Sequence, residues 1–292
     1  MLKKILKWTG ISIACLLLIV IAFYAVAAYN TSQRANKVYT VQLQKLTIPT
    51  DSASYEMGRH TANVRGCLEC HGSNLAGKAF LDETTPLGVL YASNLTNGKG
   101  GINYTDEDWI RALRHGLNKE NKSVWFMPTD HTTSQLSNNE LAALIGFLKQ
   151  QPPVDNVVPP HALKPLGTVL TFLDKFPLFP AEEIDHSATY VDEVKVEVSE
   201  AYGKYLAISC SGCHGPNYLG GPGTAPGEPV IPNLSSTGNL GKWTSEEFIA
   251  TIRTGITPEG RHLTDFMPWK AMANVNTDVE LQSMYLYLHN YK

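Results

Sequence analysis

Cysteine is scarce in this chain of 292 residues, which contains five. Four of them lie in two short motifs, and the fifth, Cys15, lies in an apolar run near the amino terminus. No pair remains outside the motifs for a disulfide framework, and no other thiolate remains as a metal ligand in the body of the chain. Most of the apolar run follows Cys15, so we predict a small packing residue there rather than a lipid attachment site.

Charge is also sparse and nearly balanced. Asp, Glu, Lys and Arg make up 17% of the residues, and the formal net charge is −3. The sequence lacks a basic patch large enough for nucleic acid, so we predict no nucleic-acid partner. Beyond the apolar run, about 260 residues remain, which is the size of one large domain or two small ones.

The longest apolar run covers residues 11–28 and contains no charge, proline or asparagine. About 18 to 20 such residues cross the hydrocarbon core as a helix, and the lysines within residues 3–7 favour an inside amino terminus. Two interpretations stay open, a signal peptide cleaved after Ala-Val-Ala at 25–27 or an uncleaved anchor. The run exceeds the roughly 7 to 15 residues of a cleaved apolar region, which favours an anchor at 1–30 and a tether at 31–50. Both interpretations export the rest of the chain.

Two C-x-x-C-H segments, at residues 67–71 and 210–214, are the most specific feature of the sequence. Positions i and i+3 share one face of a helix, so both thiols of a motif can bond to the vinyl groups of one haem. The histidine that follows is then directed at the iron. A zinc site or a dithiol redox pair is the alternative, but neither needs a histidine after each second cysteine. We predict two covalently bound haem c groups, attached and ligated by Cys67, Cys70, His71, Cys210, Cys213 and His214.

The second half of the chain repeats the first half, element by element. The matched segments are 54–60 with 199–205, 93–96 with 232–235, and 104–110 with 243–249. In the third pair, a threonine followed three residues later by an acid predicts a helix N-cap. Each of these helices is predicted to end at a glycine, Gly116 or Gly255. The repeat favours two small domains over one large one.

The tripeptide Phe-Met-Pro occurs downstream of both motifs, at residues 126–128 and 266–268. A thioether is a soft, neutral ligand for haem iron, and proline restricts both its own backbone and that of the residue before it. We therefore predict Met127 and Met267 as the second axial ligands. The alternative for each is a methionine that fills a core gap. Three methionines lack a counterpart in the other repeat and are predicted to pack: Met57, Met272 and Met284.

Each repeat ends in a predicted helix with an apolar stripe. Ser137 and Thr277, each followed three residues later by glutamate, predict capping boxes at the start of these helices. An aromatic residue at the same offset from each cap is expected to pack on the glycine of the opening helix, although two core aromatics without a special partner would give the same pattern. The expected contacts are Phe147 with Gly58 and Tyr287 with Gly203.

These motifs resemble class I cytochromes c, present twice in tandem. The resemblance implies an all-α fold behind one N-terminal transmembrane helix, with cytochrome c domains at 51–152 and 191–292. In each domain an opening helix precedes the haem motif, a closing helix crosses it, and the distal methionine lies on a loop between them. The order of motifs is similar to that of membrane-bound dihaem cytochrome c subunits, including those of quinone-linked alcohol and gluconate dehydrogenases. Those subunits often carry three haem motifs, whereas this chain has two.

The segment between the repeats, residues 153–190, is rich in proline, which predicts an extended and semi-rigid linker. Its stretch 166–179 is apolar enough to pack along a domain face. Segments 72–92 and 216–232 are irregular or rich in glycine and proline, and we predict that they wrap the haem edges.

Seven histidines lie outside the two motifs, and none is predicted to be an axial ligand. His115 ends a predicted helix, where a cation is favoured, and His262 precedes the loop at 266–268. These two are the alternatives to methionine in a different redox state. The seven are His60, His115, His131, His161, His186, His262 and His289.

Three functional classes can use two such haems. An electron carrier needs two six-coordinate irons, which the matched methionines would supply. A dihaem peroxidase or oxidase needs a vacant sixth position, and an assembly or sensing module has no need of Met-ligated haems. We predict a non-enzymatic electron carrier, alone or as a subunit of a larger oxidoreductase. It would act between a membrane or periplasmic dehydrogenase or other respiratory donor and an oxidase or soluble cytochrome, anchored in the bacterial inner membrane with its haem domains in the periplasm.

Overall fold

A computed structural model describes residues 2–223 and 229–292, which are mostly helical, as predicted. The first half contains α1 (Leu2–Asn36), α2 (Ser52–Val64), α3 (Cys67–His71), α4 (Asp106–His115), α5 (Thr129–Thr132) and α6 (Asn138–Lys149). The linker contains α7 (Pro165–Phe172). The second half contains α8 (Glu200–Ala207), α9 (Ser211–His214), α10 (Ser245–Thr254), α11 (Trp269–Val275) and α12 (Asp278–Asn290).

Each half of the chain has its own hydrophobic core. The first core forms where α2, α4 and α6 meet, and the second forms where α8, α10 and α12 meet. Matching elements supply both cores, so the repeat in the sequence corresponds to a repeat in the packing. Representative side chains are Trp109, Leu113, Leu144 and Leu148 in the first core, and Phe248, Ile252, Met284 and Leu288 in the second.

The opening and closing helices of each half cross at a glycine. A Cβ atom added to Gly58 would overlap the main chain of α6 and lie 2.7 Å from Cβ of Phe147. A Cβ atom added to Gly203 would overlap the main chain of α12 and lie 2.8 Å from Cβ of Tyr287. The expected contacts of the two aromatic residues with these glycines are therefore confirmed.

The close crossings make Gly58 and Gly203 sensitive to small changes. Gly58→Ala and Gly203→Ala are each expected to destabilise the protein by about 1–3 kcal/mol, because the added methyl group forces two helices apart. Urea unfolding of the detergent-solubilised protein, followed by far-ultraviolet circular dichroism, measures the change. Gly10→Ala in α1 is the control, since a Cβ atom there meets nothing within 4 Å. Equal stability of all three variants would contradict the close crossings.

The predicted helix ends agree with the structure at five positions. Thr105 and Thr244 close capping boxes at the starts of α4 and α10, and Thr277 does so at α12. The helices α4 and α10 end at Gly116 and Gly255, whose φ angles are 62° and 72°. That left-handed backbone is the conformation in which glycine is favoured.

The predicted capping box at Ser137 is only half formed. The Ser137 hydroxyl accepts from the Glu140 N–H at 3.3 Å, but the Ser137 N–H donates to the Tyr205 hydroxyl at 2.9 Å. The Glu140 carboxylate in turn accepts a hydrogen bond from the Tyr205 hydroxyl. The Tyr205 hydroxyl therefore accepts the hydrogen bond from the Ser137 N–H that the Glu140 side chain would accept in a closed capping box.

A small antiparallel sheet departs from the predicted all-α fold. β1 (Ala79–Leu81), β2 (Gly88–Tyr91) and β3 (Ala162–Leu163) lie in that order. β2 reads Gly-Val-Leu-Tyr and alternates buried with half-buried side chains, which is a strand pattern within a segment predicted to be irregular. Because β3 comes from the linker, the sheet ties the linker to the first half. In the matching segment of the second half, residues 224–228 lie outside the described residues.

The end of the linker's apolar stretch packs on the first half, as predicted, whereas Leu166 and Leu173 of the same stretch are exposed. Leu178 and Phe179 are buried with Leu90 in a small third core. The main-chain N–H of Phe126 donates to the Leu178 carbonyl at 2.8 Å. The linker thus joins the sheet to the loop that carries one predicted axial methionine.

The long helix α1 has 35 residues and is mostly exposed. Its apolar window has a mean hydropathy of 2.8 and is 6% buried, so it is long and apolar enough to cross a membrane, as is a signal sequence. The helix continues past residue 30, where the anchor was predicted to end, because Arg34 forms an ion pair with Glu182 of the linker at 2.6 Å. The predicted tether also packs on the first core, through Leu43, Leu46 and Ile48.

The two halves contact each other through matching residues. The Nε2 atom of His60 in α2 lies 2.8 Å from Oε1 of Glu280 in α12. Tyr205 occupies the position of the second repeat that corresponds to His60, and its hydroxyl donates to Glu140, which corresponds to Glu280. Each opening helix therefore reaches the capping glutamate of the other half. Such an exchange of equivalent contacts is typical of an isologous interface, formed here within one chain.

Candidate haem sites

Each C-x-x-C-H motif lies on a short helix directly after the opening helix of its half. The chain leaves α2 at Arg65, turns through Gly66 with a φ of 72° and enters α3. In the second half, α8 continues through the 3₁₀ turn Ile208–Cys210 into α9. Both motifs are helical, so the shared-face argument made from their spacing applies to each.

The leading cysteine of each motif is half-buried, and its thiol lies among apolar side chains. Burial raises the pKa of the Cys67 thiol to about 12 and that of the Cys210 thiol to about 11, so both thiols are neutral near pH 7. A dithiol redox pair or a zinc site uses thiolates. Within residues 2–223 and 229–292, no group of three or more His, Cys, Asp or Glu side chains could hold a metal ion. Thioether attachment needs both thiols of a motif on one face of a helix, and the helical motifs provide that arrangement.

The two motif histidines are held in the same way. Nδ1 of His71 lies 2.7 Å from the Ser93 carbonyl, and Nδ1 of His214 lies 2.8 Å from the Pro232 carbonyl. Since a carbonyl only accepts, Nδ1 carries the proton and Nε2 keeps its lone pair for a metal. Burial lowers the pKa of both imidazoles, which favours the neutral ring that a metal binds.

The loops that supply these carbonyls were recognised in the sequence only as a repeat. In each loop an asparagine side chain folds back on the main chain. Oδ1 of Asn94 accepts from the Thr96 N–H at 3.0 Å, and Oδ1 of Asn233 accepts from the Ser235 N–H at 2.7 Å. The asparagines thereby fix the carbonyls of the residues before them. The sequence signal for this role was the matched Asn-Leu-Thr and Asn-Leu-Ser.

The predicted site residues line two cavities, one in each half. The first cavity has a volume of about 390 Å³ and is lined by Cys67, Cys70, His71 and Met127. The second has a volume of about 310 Å³ and is lined by Cys210, Cys213, His214 and Met267. The structure thus brings together, in each half, all four residues that the sequence analysis assigned to one haem.

The remaining walls of both cavities are mainly apolar. Matching core residues line the two, namely Leu95, Trp109, Leu113 and Leu148 in the first and Leu234, Phe248, Ile252 and Leu288 in the second. An apolar cavity whose walls include an imidazole and a thioether fits an apolar macrocycle that needs two axial ligands.

The two Met-Pro loops differ in how the phenylalanine before each methionine is packed. Phe126, just before Met127, has a φ of 56°, which is uncommon for a bulky residue. Its ring lies between those of Phe80 and Phe176, at centroid distances of 4.3 and 5.3 Å. Phe266, at the matching position of the second half, is 40% exposed. The linker therefore contacts and supports the first methionine loop.

Other possible ligands also line the cavities. His161 lines the first cavity and stacks on Trp125 at a centroid distance of 5.4 Å. Met272 and Met284 line the second cavity together with Met267. Met57, by contrast, is 42% exposed. The matched position before proline still favours Met267, and variants of the other two methionines provide the controls for it.

The two cavities share part of one wall. Arg65, Gly66 and Thr132 line both of them. The Arg65 side chain is buried, its Nη1 atom donates to the Ser209 hydroxyl at 2.9 Å, and its guanidinium lies 5.2 Å from the centroid of the Tyr205 ring. A single layer of residues, which includes one positive charge, therefore separates the two candidate sites.

Comparison with known proteins gives one family match. Residues 197–288 match the family described as cytochrome c oxidase, cbb3-type, subunit III. This range covers the second motif, most of the residues that line the second cavity, and most of α12.

Several characterised proteins are similar to a longer part of the chain. The cytochrome c subunit of the alcohol dehydrogenase (quinone) of Gluconobacter oxydans is 26% identical over 239 residues, which cover 70% of this chain and 48% of that protein. The fructose dehydrogenase cytochrome subunit of Gluconobacter japonicus is 26% identical over 241 residues, with coverages of 74% and 48%. A diheme cytochrome c-type protein of Cereibacter sphaeroides is 26% identical over 219 residues, with coverages of 66% and 71%.

The chain spans about half the length of the first two of these relatives. Residues 197–288 contain a cytochrome c domain, and the chain as a whole is similar to the cytochrome c subunits of dehydrogenases and to a dihaem cytochrome c.

Proposed function

We propose that this chain is a membrane-anchored dihaem cytochrome c that carries electrons between a dehydrogenase or other respiratory donor and a terminal acceptor. The observation that carries the proposal is the pair of cavities, each with a C-x-x-C-H motif and a Met-Pro loop in its walls. Two covalently bound haem c groups would supply the one-electron chemistry.

Each half of the chain would hold its haem with the same set of residues. The motif cysteines provide the covalent attachment, the motif histidine one axial ligand and the loop methionine the other. The carbonyls of Ser93 and Pro232 orient the imidazoles, and the apolar walls exclude water. On this proposal residues 51–152 and 191–292 are two tandem class I cytochrome c domains joined by the linker at 153–190.

The proposed ligation favours a carrier over an enzyme. A methionine opposite each histidine fills the sixth position and leaves no place for peroxide or oxygen on the iron. The shared wall of Arg65, Gly66 and Thr132 supports transfer between the two sites, because only one layer of residues separates the cavities. The reciprocal contacts of His60 and Tyr205 hold the two halves in this arrangement.

The location of the protein follows from α1. We propose that α1 stays uncleaved in the inner membrane and that the haem domains face the periplasm, where haem c is attached. Contacts between α1 and the linker support retention of the helix. The ring of Phe23 packs edge-on against Phe172 at 5.8 Å, and Arg34 pairs with Glu182 at 2.6 Å.

The relatives support a dehydrogenase as the electron donor. Two of them are cytochrome subunits of a quinone-dependent alcohol dehydrogenase and of a fructose dehydrogenase. We propose a donor of that kind, acting on a small alcohol or sugar, and an oxidase or soluble cytochrome as acceptor. Proteins that co-purify with the detergent-solubilised chain would identify both partners.

The haem content is the most direct test of the proposed sites. Iron should measure two atoms per polypeptide, and a haem stain should survive denaturing electrophoresis. Cys67→Ala with Cys70→Ala should reduce the iron to one atom, because the first haem loses both thioether bonds. Cys210→Ala with Cys213→Ala should do the same for the second haem.

Cys15→Ala is the matched control and should keep two haems, since Cys15 lies in α1 away from both cavities. A double variant that retained two haems through denaturation would refute the attachment site concerned. The oxidised protein should also be low-spin, with a sulfur-to-iron charge-transfer band. A high-spin haem that reacts with peroxide would replace the carrier proposal with a peroxidase.

A further inference from the structure

Helix α7 buries its small residues, leaves Val169 and Leu170 half-buried, and exposes Leu166 and the adjoining Leu173. Gly167, Thr168 and Thr171 are buried, whereas Leu166 is 46% exposed and Leu173 is 48% exposed. A surface helix of a globular protein in water shows the opposite arrangement, with its large apolar side chains turned toward the core. The outward side of α7 therefore exposes large apolar side chains, whose contact with water is unfavourable.

Small residues also form the contact between α7 and α1. Ala27 and Thr31 are the residues of α1 that are buried, and the Thr31 hydroxyl donates to the Thr168 carbonyl at 3.4 Å. Close contact between small residues is typical of helix pairs in membranes. Nearer the middle of α1, the rings of Phe23 and Phe172 meet edge-on.

Two exposed aromatic residues indicate where α1 passes through the two surfaces of the bilayer. Trp8 is 66% exposed and Tyr29 is 69% exposed, and Trp and Tyr are enriched at membrane–water interfaces. At about 1.5 Å per residue they lie about 31 Å apart along the helix, close to the hydrocarbon thickness of about 30 Å. Since Ala27 and Thr31 flank Tyr29, α7 crosses α1 at the level of the outer interface.

The charged groups of Arg34, Asp174 and Glu182 beside α7 form ion pairs, which reduces the free-energy cost of placing them in a low-dielectric environment. Arg34 pairs with Asp174 at 3.0 Å and with Glu182 at 2.6 Å, and it donates to the Thr171 carbonyl at 2.8 Å. The exposed residue Lys175 follows the helix, and a long lysine side chain can direct its charge toward water or a lipid headgroup.

We infer that α7 is an in-plane membrane helix whose outward side, formed by Leu166, Val169, Leu170 and Leu173, inserts among the acyl chains of the outer leaflet beside α1. This inference rests on the proposed uncleaved anchor. It makes the first haem cavity the membrane-proximal one, because that cavity is lined by Ala35 of α1 and by residues that pack on the linker. The domain would thus be held by two membrane contacts rather than swing on one helix.

Nitroxide labels on the full-length chain, reconstituted in phosphatidylcholine vesicles, test the inference. Single cysteines replace Leu173 and, as a second probe, Leu166, in a Cys15→Ser background. Leu17, which is 56% exposed on α1, provides the bilayer control, and Val196, which is 67% exposed ahead of α8, provides the aqueous control. The measurement is the collision rate of each label with oxygen relative to that with a water-soluble nickel chelate.

The labels at 173 and 166 are expected to show an oxygen-to-nickel ratio several-fold above that at 196 but below that at 17, because residue 17 lies near the middle of the bilayer. Ratios equal to that at 196, with a high ratio at 17, would overturn the inference and leave the anchor standing. A low ratio at 17 would overturn the anchor and the inference together. Labels at 173 and 166 that neither collision partner reaches would also overturn it, since the helix would then be covered by protein.

Discussion

Met127→His is expected to lower the potential of one haem by on the order of 0.1 V and to leave the other nearly unchanged. An imidazole stabilises ferric iron more than a thioether does, so replacing Met by His favours the oxidised state. The second half keeps its own ligands, which explains the selectivity. Met267→His should lower the other potential by a similar amount. Spectroelectrochemical titration of the purified protein resolves the two potentials.

The rival methionines of the second cavity provide the controls for this experiment. Met272→Leu and Met284→Leu should retain the sulfur-to-iron band of the second haem, because these side chains pack in the cavity wall. Met57→Leu should leave both haems unchanged, since Met57 is 42% exposed. If either Met→His variant left both potentials in place, the axial assignment in that half would be wrong. His161 would then be the first alternative in the first cavity.

Arg65→Gln is expected to lower both potentials together. A positive charge beside an iron stabilises the reduced state, and Arg65 lines both cavities, so its loss acts on both haems. One interior charge acts on a neighbour with on the order of 1–2 kcal/mol, which corresponds to about 40–90 mV for a one-electron carrier. Burial lowers the pKa of Arg65, but an arginine side chain stays protonated in proteins, so the effect should be the same across neutral pH.

Two further variants separate the charge of Arg65 from its structural contacts. Arg65→Lys keeps the charge and should preserve most of both potentials, although its contact with the Tyr205 ring changes. Ser209→Ala removes the hydrogen-bond partner at 2.9 Å and should change the potentials less than Arg65→Gln does. Arg59→Gln is the matched control, since Arg59 is an exposed residue of α2 paired with Glu56. A shift confined to one haem in Arg65→Gln would contradict a role for the shared wall.

The axial-ligand variants and the Arg65 variant are expected to change the two haem potentials in different patterns, which distinguishes an effect on one site from an effect on both. Ligand variants should act on one haem at a time, whereas the variant in the shared wall should act on both. The carrier proposal needs both results, since it requires two independent sites that lie close enough for transfer. Selective effects of all three substitutions would indicate two sites that are electrically separate.

Much of the candidate site was contained in short stretches of sequence. The attachment motifs occupy five residues each, and a helical turn is enough to place their cysteines and histidine on one face. The caps at Thr105, Thr244 and Thr277 were predictable for the same reason, because the hydrogen bonds of a capping box join residues three apart. The repeat then matched Met127 with Met267, which no single motif could do.

Contacts between distant segments were not predictable in this way. The carbonyl of Ser93 holds His71 from 22 residues away, and Tyr205 opens the predicted box at Ser137 from 68 residues away. The strand β3 completes the sheet by pairing with β2. The local sequence pattern of β2 indicates a strand but not its partner, because a strand pairs with whatever segment the fold brings beside it.

The sequence by itself determined the residue types of the two candidate sites, because the proposed haem attachment and axial ligation depend on residue types at short spacings. Only the tertiary structure decided how the two halves are joined. The reciprocal contacts of His60 and Tyr205, and the placement of Arg65 between the two cavities, arise from surfaces that meet only after both halves have folded. Such surfaces carry no periodic signal, since their residues are scattered along the chain and are brought together by the packing of the helices.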